Sequence, residues 1–185
     1  MRKIAEQLGV EAMSLYYHVK NKEAILDELI DFLFGEIELP PADLPWKEAL
    51  RLRSISAREV LVKHRWAISV MDSTRIPGPN TLKHHNAVLG AMRDDGVSLE
   101  MTAHAYSVID GYIYGFVMQE QAIPFETPEE LAAVAAGMLE TIPREQFPHF
   151  VEMVVDHALQ PGYSYQEEFE YGLDLILDGI EREVG

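Results

Sequence analysis

The chain has 185 residues, 48% hydrophobic and 25% charged, which suits one globular domain with a real core and leaves room for a small appendage. No run approaches the ~18 to 20 apolar residues of a membrane span, and the start has neither the basic nor the apolar region of a secretory leader, so a cytoplasmic protein without a membrane partner is expected. With no cysteine, disulfides, thiolate catalysis and the usual structural zinc sites are excluded.

The net charge of −16 argues against nucleic acid until its distribution is considered. Residues 1–22 hold Arg2, Lys3, Lys20 and Lys22 against Glu6 and Glu11, a net of +2, which leaves −18 on the remainder. A basic head on an acidic body fits a small DNA-contacting module on a larger domain that avoids DNA, although a fluctuation in a short window would read the same way.

In chain order the elements read as helices. Ile4, Ala5 and Leu8 form an apolar stripe ended by Gly9, and Glu11 to about Val19 follows as a second helix. Helix, glycine turn and second helix have helix-turn-helix spacing, and a generic helical hairpin shares it. In the second helix Leu15 and Val19 would face inward, leaving Ala12, Met13, Ser14, Tyr16, Tyr17 and His18 on the other faces. Hydroxyls there suit phosphates, and apolar groups suit thymine methyls. Asn21 can cap a third helix bearing Ile25, Leu26, Leu29, Ile30 and Leu33, so that free N–H groups, the helix dipole and the Lys22 ammonium converge on one anion-sized spot. The LPPADLP stretch at 39–45 stops that helix and sets a boundary near residue 40.

Beyond it the pattern predicts a helix from Trp46 to about His64, a shorter one from Arg65 to Asp72, and, after IPGPN at 76–80, another to about Asp95. Ser98 can cap a long apolar helix to Gln121. Thr127, Pro128 and Glu130 form a capping box with proline at the first position, the sharpest start signal in the chain. Helices over roughly 147–159 and from Tyr165 to Glu183 complete an all-α chain without strand-like alternation or repeats.

The stretch RKIAEQLGVEAMSLYYHVKNKEAILDELID resembles the DNA-binding domain of the TetR family of bacterial transcriptional regulators, through Ala5, Gly9, Val10, Ser14, Leu15, Tyr16, His18, Val19, Asn21, Lys22 and Glu23. The resemblance implies that Arg2, Ser14, Tyr16, His18 and Lys22 meet the DNA backbone, and that Ala12, Met13 and Tyr17 face bases. It also implies a further helix before Arg2, so the module at 1–40 is expected to be incomplete at its N-terminus. Residues 41–185 are expected to bind an effector and dimerise: the stretches at 64–79, 96–121 and 167–183 resemble the tetracycline-repressor branch. That branch places a histidine and a glutamate of its metal–drug site where Met71 and Gln119 stand here, so no metal or other cofactor is expected.

His84 and His85 diverge by about 100° on a helix and do not share an ion easily. No catalytic motif is present, and the acidic residues Glu167, Glu168, Glu170, Asp174, Asp178 and Glu181 read as solvated faces of the last helix. Gly111 and Gly115 share one helix face and, with the stripe Phe169, Leu173, Ile176, Leu177 and Ile180, suggest a four-helix seam between two subunits. For the effector pocket the candidates are Ala57, Leu61, Trp66, Met71, Asn86, Tyr106, Asp110, Ile113 and Gln119, drawn from helices that the resemblance places around a central cavity; plain core packing is the competing reading of its aromatics. The expected protein is a ligand-responsive repressor, not an enzyme, that binds a palindromic duplex as a homodimer and is released by a small, largely hydrophobic effector. The alternative is a helical small-molecule-binding protein or enzyme that has lost DNA binding through its short N-terminus.

Overall fold

The computed structural model describes residues 2–71, 76–125 and 127–184, apart from the side chains of Ala12, Leu15, His18 and Pro128, and among these residues it is helical without strands. Helix α1 (Arg2–Leu8) ends where Gly9 takes φ 65°, a left-handed conformation that glycine adopts freely. The N–H groups of Gly9 and Val10 close the turn on the carbonyls of Glu6 and Ala5. Helices α2 (Ala12–His18) and α3 (Lys22–Glu36) follow, and the Asn21 carboxamide oxygen accepts the Ala24 N–H at 2.8 Å, the cap expected from sequence.

The body contains α4 (Trp46–Lys63), α5 (Pro79–Asp94), α6 (Leu99–Ala122), α7 (Pro128–Thr141), α8 (Pro148–Met153), which runs into one π turn at Val154–Ala158, and α9 (Tyr165–Val184). Ser98 and Thr127 accept the N–H groups of Met101 and Glu130 as caps of α6 and α7. Proline precedes α4 and offers no cap, so Asp95, from the far end of α5, accepts the Trp46 N–H at 2.7 Å. Helices α4, α5, α6 and α9 enclose the core through Leu50, Leu61, Met92, Ile109, Ile113, Phe169, Leu173 and Leu177, while α3 packs chiefly on α5.

Three expectations need correction. The predicted α-helix at 65–72 does not form over its described part: residues 64–70 are turns with a bend at Ala67, Met71 has 3-10 conformation, and Ala67 bonds back to His64 and Val70 to Ala67. Ser69 turns its hydroxyl onto the Trp66 carbonyl, and Ile68 and Val70 are β-branched, both of which weaken a short helix. Asp72 lies outside the described residues.

The acidic stripe of α9 is not merely solvated. Arg51 pairs with Asp174 at 2.6 Å and Glu170 at 2.9 Å, Lys47 with Asp178 and Glu181 at 2.6 Å each, and His157 with Glu168 at 2.9 Å. Cations four apart on α4 face acids one turn apart on α9, and this fixes the two helices in register. Finally, Phe169, Leu173, Leu177 and Ile180 are buried inside the subunit, against this chain's own α4 and α6, so these four are already covered without a second copy, while Ile176 is half-buried. An apolar stripe in sequence does not say whose apolar surface it meets.

Candidate functional site

The reading helices come first. Met13 is 68% exposed and Tyr17 89%, with Tyr16, Arg2 and Lys22 also exposed. The Ser14 hydroxyl donates to the Glu11 carbonyl at 2.7 Å, closing the first turn of α2. The side chains of Ala12 and His18 lie outside the described residues. Ile4 and Leu8, the apolar side of α1, are exposed as well.

The nine pocket candidates are not gathered around one open space. Ala57, Leu61 and Ile113 are closed into the core, Met71 and Tyr106 are half-buried, and Trp66, Asn86 and Gln119 are exposed. Asp110, which sequence leaves as a charge in need of a partner, has one: Arg53 donates to its carboxylate at 2.7 Å, with both side chains buried. The Arg53 Nε–H donates in turn to His84 Nε2 at 2.9 Å, which requires a neutral imidazole with its proton on Nδ1. That N–H, fully buried, has no partner among the described residues. Burial first, then the Arg53 charge and His85, push the His84 pKa down to about 3. His85 meets the Tyr106 hydroxyl at 2.6 Å, and burial, followed by the Asp110 charge, raises that phenol's pKa. The adjacent histidines therefore do diverge, into one network linking α4, α5 and α6. Phe34 of α3 packs its ring 5.2 Å from both imidazoles.

Sequence reasoning missed Arg53 and its link to His84, yet the signal was present. Arg53 occupies a core position of α4, in phase with Leu50, Ala57 and Leu61, where a cation requires a buried acid.

An open cleft of about 620 Å³ lies between the end of α4, the α6–α7 connection and the turn before α9, lined among others by Val62, Arg65, Glu120, Phe125, Tyr163 and Tyr165. Glu120 is held by a forked ion pair with Arg58, whose guanidinium also lies over the Phe169 ring at 5.4 Å. Burial raises the pKa of Tyr163 and Tyr165, so both phenols keep their protons at neutral pH. Gln119 instead lines a surface cleft between α6 and α9 with Gly111, Gly115, Tyr112 and Tyr171. A Cβ built on either Gly111 or Gly115 would meet nothing within 4 Å.

Residues 39–184 match the family described as "Tetracyclin repressor-like, C-terminal domain". The chain is 30% identical over 184 residues to the class A tetracycline repressor of transposon 1721 from Escherichia coli, covering 98% of this chain and 80% of that protein. The chain belongs to the TetR family.

A helix-turn-helix transcriptional regulator of Saccharopolyspora erythraea is 33% identical over 121 residues, which are 65% of this chain and 51% of that protein, so the match spans about half of its length. Among solved structures, the Streptomyces coelicolor TetR-family protein ActR in complex with actinorhodin superposes with a TM-score of 0.77 at 25% identity, over all of this chain and 88% of that one. A family member with this ancestry is a ligand-responsive transcriptional regulator, and the reading as a helical enzyme is set aside because the relatives are regulators. TetR-family regulators bind operator DNA and effectors and act as dimers. No helix among the described residues is long and apolar enough to cross a membrane.

Proposed function

We propose that this regulator is a repressor in which residues 1–40 read a palindromic duplex, residues 41–185 dimerise and bind a small, largely hydrophobic effector, and effector binding releases the DNA. The observation that carries the reading is the presentation of α2: Met13 and Tyr17 stand free of the subunit, beside a capped helix start carrying Lys22. Arg2, Ala12, Ser14, Tyr16 and His18 complete the contact set implied by the family motif. Two such heads on a dimer would meet successive major grooves about one helical turn apart.

The effector is proposed to enter the cleft near Arg65, Glu120, Tyr163 and Tyr165, whose volume suits a mid-sized organic molecule and whose phenols donate hydrogen bonds. Recognition is proposed to need no metal, given Met71 and Gln119. The ActR complex with actinorhodin supports a ligand-responsive member of this shape. A dimer through the open faces of Gly111 and Gly115 is supported by the room at both glycines. Release is then a population shift toward a head spacing that no longer fits the duplex.

Selection from a randomised duplex pool by the full-length protein tests the DNA reading. A palindrome should emerge, Lys22→Ala should weaken binding to every sequence alike, and Met13→Ala should alter base preference. Equal affinity for selected and scrambled duplexes would refute it.

A further inference from the structure

Helix α3 ties the reading head to the body: its second half buries Ile30, Leu33 and Phe34 against the core and packs on α5, while its first half is less enclosed. The first half of α3 is separated from the Ile76–Pro79 turn by a cleft of about 530 Å³, and at the inner end of that cleft stands Asp31, only 7% exposed. Its Oδ1 accepts both the backbone N–H of Thr81, at 2.8 Å, and the Thr81 hydroxyl, at 3.0 Å. Helix α5 has glycine at its own cap position and no side-chain cap of its own, so the carboxylate that closes its N-terminus is supplied from α3. A negative group is favoured there by the free N–H groups and the helix dipole.

With Asp31 in its native place there is no room for a side chain at residue 78: a Cβ built on Gly78 would lie 2.3 Å from the Asp31 carboxyl carbon, so one of the two must move. One turn further along α3, a Cβ on Gly35 would lie 3.1 Å from the Asn80 amide nitrogen. The start of α5 is thus seated on two consecutive turns of α3, and beyond Asp31 toward Lys22 the cleft opens between helix and turn.

We propose that Asp31 is the positioning residue that sets the angle of α3, and with it the helix-turn-helix, on the body, by capping α5 in trans. Glu23 stands eight residues from Asp31, about 12 Å along the axis, so a rotation of ~10° about this contact displaces it by ~2 Å. The body side of the contact is the start of α5, the helix that follows α4 in the chain, and the last turn of α4 lines the proposed effector cleft. A displacement of the α5 start therefore acts on α3 through Asp31. The inference rests on the repressor reading only in calling the moved part a DNA-reading head.

The chain has no cysteine, so nitroxide pairs can be placed at Glu23→Cys on α3 and Glu100→Cys on α6, both exposed, with doubly labelled subunits diluted into unlabelled protein. Pulsed electron–electron distance measurement on the full chain should give a shift of ~2 Å, or a widening of about twofold, for Asp31→Ala. Asp31→Asn keeps an oxygen acceptor for Thr81 and should restore the native distribution. Gly78→Ala, which displaces the carboxylate, should reproduce the Asp31→Ala change, and the two together should add nothing further.

A folded Asp31→Ala protein whose distance distribution superimposes on the native one overturns the proposal, even if its melting temperature falls. Should Asp31→Ala fail to fold, Gly78→Ala and Thr81→Val decide it: change in either supports the role and native distributions in both refute it. No DNA enters the measurement, so failure to select an operator leaves this outcome intact, and the converse also holds.

Discussion

His84 makes the interior network measurable as a pH dependence. The native ring is buried and accepts from Arg53, with a pKa of about 3, whereas in the unfolded chain it would titrate near the ordinary value of ~6.5. Between those values the unfolded chain takes up a proton that the native protein does not. Stability from this group is therefore complete above about pH 6.5 and is lost as pH falls through that value toward 3. At pH 5, about 1.5 units below the unfolded value, the loss is about 2 kcal/mol. His84→Gln offers an oxygen to the Arg53 Nε–H and does not titrate, so it isolates the term from other groups, His85 included. Urea unfolding of both proteins between pH 8 and pH 5, at one fixed protomer concentration because a dimer's stability depends on it, should show the native advantage over His84→Gln shrinking by about 2 kcal/mol. Parallel stability curves across that range would refute the buried neutral imidazole.

Arg53→Met strands the Asp110 carboxylate in the interior and should cost about 3–5 kcal/mol in urea unfolding, whereas adding Asp110→Leu should recover much of it; strictly additive losses would contradict the pairing. Gly115→Leu fills the open face of α6 without touching this subunit's core, so sedimentation should show dissociation toward monomer with unchanged helix content; an intact dimer would move the seam elsewhere. Effector binding, tested by calorimetry, should be unchanged by a chelator and weakened about tenfold or more by Tyr165→Ala; abolition by the chelator would refute the metal-free reading.

Local chemistry was legible in the sequence because its causes are local. Gly9, Asn21, Ser98 and Thr127 act on backbone groups within three or four residues, so turn and caps stand where the residues place them. The family motif is equally local, since a helix-turn-helix compresses its determinants into some twenty residues.

What only the tertiary structure decided is which surface each face meets. The α9 stripe reads alike whether it packs on its own α6 or on a second copy, because hydrophobic burial carries no label for its partner. Arg53 and Asp110 are 57 residues apart, Asp31 and Thr81 are 50, and no periodicity links such pairs. Their meeting follows from helix crossings that the whole core sets at once. The pocket candidates scattered for the same reason: helical spacing tells which residues point inward, and only packing tells whether the space they point into is filled.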